Sequence, residues 1–62
     1  MTDNQVRAAA AAIANTRAGR RGAPAISNVL DLLEQALPHL YREVMADARA
    51  ALEAAEQVET AP

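Results

Sequence analysis

The stretch Val29-Leu30-Asp31-Leu32-Leu33-Glu34-Gln35-Ala36-Leu37-Pro38-His39-Leu40-Tyr41 decides how this chain folds. With Ile26 just before it, it is the most hydrophobic part of the sequence, and its apolar residues recur at helical rather than alternating spacing. It is therefore the centre of any core. Pro38 divides it. A proline inside a helix removes a hydrogen bond and clashes with the preceding turn, costing about 3 kcal/mol or more. It also steers Leu37 away from helical backbone. The cheaper arrangement breaks the helix at Leu37 and places Pro38 in the first turn of the next. A kinked continuous helix is the other arrangement.

Working forward, residues from about 38 to 57 form a third helix. Leu40, Tyr41, Val44, Met45, Ala48, Ala51, Leu52 and Ala55 make one stripe at three and four spacing. The pairs Arg49–Glu53 and His39–Glu43 are candidate i,i+4 partners on its polar side. Residues 58–62 lack a stop signal and are expected to fray. Working back, the second helix spans about 25–37. It starts either with Pro24 in its first turn or with Ser27 as N-cap. Before it, Gly19-Arg20-Arg21-Gly22-Ala23-Pro24 forms the break between helices.

The first helix, about 3–18, carries a full start signal. Thr2-Asp3-Asn4-Gln5 matches a capping box, with Met1 and Val6 at the staple positions. Asp3 suits the positive end of the helix dipole. Gly19 stands where a left-handed cap is expected. The apolar stripe, Val6, Ala9, Ala10, Ile13 and Ala14, is shallow: it admits a close neighbour but buries little area.

The reading is thus an all-α, single-domain unit over residues 1–62, a helix–loop–helix–helix. Its composition limits its stability. Of 62 residues, 32 are apolar and 17 of those are alanine, which leaves 15 side chains large enough to fill a core. Phe, Trp and Cys are absent, so disulfides and cysteine-based metal sites are excluded. Chains this short normally need a staple. The large side chains of helices two and three exceed what Ala-rich helix one can cover. Self-association, most simply as a two-fold homodimer, is expected, with Val29, Leu30, Leu33, Leu37, Tyr41, Val44 and Met45 at or near the shared core.

Charge is unevenly placed. Residues 1–23 hold four arginines against Asp3, a net of +3; residues 24–62 hold two arginines against seven acids, a net of −5. Such a dipolar chain can pair its own ends, pair head-to-tail with a copy, or offer a basic patch to an acidic partner. The basic cluster is Arg17, Arg20 and Arg21, the candidate electrostatic partner-binding residues. Gly-framed arginines can also follow a phosphate backbone. The order here departs from the Arg-Gly-Arg-Pro core of an AT-hook, and no aromatic is interleaved for base stacking.

Catalytic and metal chemistry find little support. Ser27 is explained by helix capping, and His39 follows a proline at a helix start; nothing forms a nucleophile–base–orienter set. His39 and Glu43 supply two candidate ligands where a stable site needs about four. No cofactor and no metal are expected. No run approaches the 18 apolar residues of a membrane span, and Ala8–Ala14 is too weakly hydrophobic for a secretory leader. The expectation is a cytoplasmic protein with no membrane association.

Two further stretches, Val6-Arg7-Ala8-Ala9-Ala10-Ala11-Ala12-Ile13-Ala14 and Ala46-Asp47-Ala48-Arg49-Ala50-Ala51-Leu52-Glu53-Ala54, cover about a third of the chain. Together they resemble small Ala/Arg-rich helical proteins of phages and prophages of GC-rich bacteria. That resemblance implies a mobile-element accessory protein, some of which, anti-CRISPR proteins among them, bind and block a host enzyme or defence complex. It carries over no site residues. The functional expectation is a non-enzymatic protein–protein interaction module, an inhibitor or adaptor. The alternatives are a small dimeric nucleic-acid-binding regulator using the arginine loop, and a structural assembly component.

Overall fold

The structure, a computed structural model, describes the backbone of residues 1–60 and side chains as far as Val58. It is all-α: α1 (Asp3–Gly19), α2 (Val29–Ala36) and α3 (Pro38–Thr60). The capping box forms as its sequence predicts. Gln5 N–H donates to Thr2 Oγ1 at 3.1 Å, and Thr2 N–H donates to Gln5 Oε1 at 2.8 Å. Two of the otherwise orphaned amides at the start of α1 are thereby satisfied.

The far end of α1 differs from the expectation. Gly19 is still helical, and Arg20 continues in right-handed backbone at φ −64, ψ −22. The left-handed glycine is Gly22, at φ 87. Ala23 N–H donates to Ala18 C=O and Gly22 N–H to Gly19 C=O, both at 3.0 Å. These are the two bonds of a Schellman motif with Gly22 as the residue after the cap. Right-handed backbone therefore continues through Arg20, and Arg21 lies in the hydrogen-bonded turn that closes α1, its N–H donating to Ala18 C=O at 3.0 Å.

α2 is shorter than the expected 25–37. Neither Pro24 nor Ser27 opens it; the N-cap is Asn28, with no side-chain cap bond. The reason lies in α1. Asn15 Nδ2 donates to Ile26 C=O at 3.1 Å, and Ile26 N–H donates to Asn15 Oδ1 at 3.0 Å. This two-point clamp holds the backbone at Ile26 outside the helix and returns the chain along α1.

At the other end the break falls where Pro38 demands. Leu37 has left helical backbone (φ −140, ψ 66) while its N–H still donates to Leu33 C=O at 2.7 Å. Its carbonyl then accepts from Leu40 and Tyr41 N–H at 3.0 and 3.1 Å. One residue closes α2 and opens α3. The expected fraying at 58–62 is corrected in part: α3 continues to Thr60, and residues 61–62 lie outside the described residues.

The core is assembled from all three helices: Val6, Ala10 and Ala14 of α1, Val29 and Leu30 of α2, Val44 and Ala48 of α3. The alanines let α1 and α3 approach closely, which leaves Val6 and Val44 as the largest fully buried side chains. Each contributes about 1.5–3 kcal/mol by burial. So small a core is supplemented at the surface. Arg7 of α1 reaches both neighbours, donating to Tyr41 Oη at 3.3 Å and lying 3.6 Å from Asp31 Oδ1. The expected pairs within α3 do not form among the described residues: Arg49 and Glu53 are unpaired with each other, and Glu43 turns to Arg17 instead of His39.

Candidate functional site: a groove edged by arginines

The hydrogen-bonded turn that closes α1 sets Arg17 and Arg21 at one groove and Arg20 at another depression. Arg17 and Arg21 accordingly edge a groove where the three helices meet, with a volume of about 240 Å³. Its walls are apolar: Ala14 and Ala18 of α1, Leu33 of α2, the junction residue Leu37, and Leu40 and Val44 of α3. Arg20 faces the other way, over a separate depression formed with Ala12, Ile13, Thr16 and Arg17.

The cations differ in availability. Arg17 Nη2 lies 2.6 Å from Asp47 Oδ2 and its Nη1 3.5 Å from Glu43 Oε1. It sits between two carboxylates four residues apart on α3 and relieves their mutual repulsion. Arg20 and Arg21 make no ion pair and no side-chain hydrogen bond among the described residues. So the cluster Arg17, Arg20, Arg21 divides into one internal strut and two unengaged charges.

The seven residues expected at a shared interface also divide. Val29, Leu30 and Val44 are consumed by the chain's own core. Leu33, Tyr41 and Met45 are half-buried, and Leu37 is 43% exposed at the mouth of the groove. The sequence reading kept arginines and leucines as separate sets. The structure brings Arg17, Arg21, Leu33, Leu37 and Val44 to one place. It adds Leu40, Ala14 and Ala18, which sequence reasoning missed. For Ala14 and Ala18 the signal was their own four-residue spacing on the helix that carries Arg17.

Ser27 lies in the turn before α2 and His39 in the first turn of α3, both exposed, and no hydrogen bond joins them among the described residues. No three His, Cys, Asp or Glu side chains gather in metal-binding geometry among the described residues. No described helix is long and apolar enough to cross a membrane. A groove of this volume lies below the usual 300–1,000 Å³ of a small-molecule pocket. It has room for one or two apolar side chains, with guanidinium donors at its edge.

Comparison with protein-family models, with curated proteins and with solved structures gives no match.

Proposed function

We propose that this protein is a non-enzymatic interaction module of the cytoplasm. Its groove takes an acidic, amphipathic segment of a partner protein. The observation that carries this reading is the convergence of Arg21, free of any described partner, with the apolar walls at Leu33, Leu37 and Leu40. A helix or turn presenting a leucine-sized anchor beside Asp or Glu fits both features. The anchor supplies desolvated apolar contact, and the arginines supply specificity and encounter rate. An inhibitor or adaptor role in a phage or prophage, implied by the resemblance of the two Ala/Arg stretches, belongs to the same proposal, as does a homodimeric state. Protein is favoured over nucleic acid because Glu43 and Asp47 stand beside Arg17, where a phosphate backbone would meet carboxylates.

Two leucines make the test internal. Leu37 (43% exposed) lies in the groove and Leu32 (45% exposed) does not. Leu37→Glu and Leu32→Glu variants, each checked for helicity, serve with wild type as baits in an extract of the native host. The expected result is a captured protein lost with Leu37→Glu, kept with Leu32→Glu, and mapped to contact through an acidic segment. Equal capture by both variants, or capture abolished by nuclease, contradicts the reading.

A further inference from the structure

The groove offers an incoming group apolar walls and a single open cation. Leu33, Leu37 and Leu40 supply the walls, around a volume of about 240 Å³. Arg17 is engaged by Asp47 at 2.6 Å and by Glu43 at 3.5 Å. Arg21, whose side chain has no ion pair among the described residues, is the cation left at that edge. Acids flank the site on two sides. Glu43 and Asp47 stand beside Arg17 on α3, and Glu34, exposed, follows Leu33 on α2. One carboxylate at Arg21 is therefore favoured, and a second placed over α2 or α3 is repelled. The narrow volume adds a condition: anchor and carboxylate must arrive close together.

We infer that the residue seated in this groove is the last residue of a partner chain, with a leucine-sized side chain against Leu33, Leu37 and Leu40 and its terminal carboxylate on Arg21. At a C-terminus the side chain and the carboxylate leave the same Cα. In an extended internal segment, neighbouring side chains point to opposite sides. On a helix, an acid shares the anchor's face only three or four positions away, about 5–6 Å between Cβ atoms. One terminal residue meets both features with the least space. The planar guanidinium of Arg21 suits a carboxylate, which can accept two parallel N–H donors. A terminus also leads away from its anchor in one direction, so it crosses fewer of the flanking acids than a segment that continues both ways. The inference rests on the proposed function in taking the groove as a docking surface, and it narrows the acid of the partner segment to its terminal carboxylate.

Three short peptides test it: N-acetylated Ala-Gln-Ala-Leu with a free carboxylate, the same peptide as its C-terminal amide, and N-acetylated Ala-Glu-Leu-Ala amide, whose acid is internal. Each is titrated into labelled protein, and the amide shifts of Leu33, Leu37 and Leu40 report binding. All three are expected to bind there, the free acid about fivefold or more tighter than either amide. Arg21→Gln is expected to erase that advantage. Arg20→Gln is expected to keep it, because Arg20 lies over the other depression. Both substitutions fall on the exposed turn after α1 and leave the core untouched. Equal binding of free acid and amide overturns the inference, as does an advantage that survives Arg21→Gln or is lost equally with Arg20→Gln. An internal acid that binds as tightly as the terminal one overturns the inference and leaves the proposed function standing. Silence at the groove with all three peptides overturns it as well, and the Leu37→Glu and Leu32→Glu baits then decide the docking reading by themselves.

Discussion

Arg17 and Asp47, thirty residues apart in sequence, meet at 2.6 Å across the α1–α3 interface, and Glu43 shares the same guanidinium at 3.5 Å. The contact ties the last turn of α1 to α3 directly beside the groove and engages one of the three clustered arginines within the chain. The pair is about half exposed, so water and salt screen it. Asp47→Asn is expected to lower stability by about 0.5 kcal/mol, a few degrees in melting temperature, with the difference fading at high salt. Thermal melts at two ionic strengths check this.

Gly19 and Gly22 are expected to respond oppositely to alanine. Neither position would crowd an added Cβ. Gly19 is helical, where alanine is favoured over glycine by about 0.8–1 kcal/mol. Gly22 sits at φ 87, where alanine is strained by about 1 kcal/mol. Denaturant melts should show Gly19→Ala more stable than wild type and Gly22→Ala less so. The reverse order would move the cap back to Gly19.

Ala48 is fully buried between α1 and α3. Ala48→Leu forces the helices apart and should destabilise by about 1–3 kcal/mol. Val44→Ala, which leaves a void at the same contact, should cost about 2 kcal/mol. Because the monomer core holds only these few large groups, either change is expected to shift the midpoint of unfolding strongly.

Asn15 is expected to govern where α2 begins. Asn15→Ala removes both hydrogen bonds to Ile26, with a loss of about 1–2 kcal/mol. The Ile26 amide should then exchange with solvent markedly faster, while the Val44 amide slows or quickens only with global stability. Unchanged exchange at Ile26 would show that the clamp is incidental.

These particulars mark how far sequence carries. The capping box at Thr2–Gln5 and the break at Pro38 were legible because each is enforced by backbone bonds within four residues. The stripe of α1 was legible because its period is its own. The ends facing the connection were not. Two glycines stood in reach of the same cap, and which one takes left-handed backbone depends on where Ala23 finds its carbonyl. The start of α2 is set by Asn15 through its contact with Ile26, eleven residues further on, which no local pattern announces. Sequence marked the arginines as a cluster, but the hydrogen-bonded turn that closes α1 sends Arg20 and Arg21 to different surfaces. It expected Val29, Leu30 and Val44 at or near a shared core; the structure buries them within the chain and leaves Leu37 and Val58 exposed.

Amide spectra of uniformly labelled wild-type protein, titrated with an acidic amphipathic peptide that carries one leucine between glutamates, test most directly that the arginine-edged groove is a contact surface. Concerted shifts are predicted at Ala14, Ala18, Leu33, Leu37 and Leu40, and quiet signals at Ile26 and Leu32. Spectra that do not change, or that change around Ile26 and Leu32 instead, would contradict it.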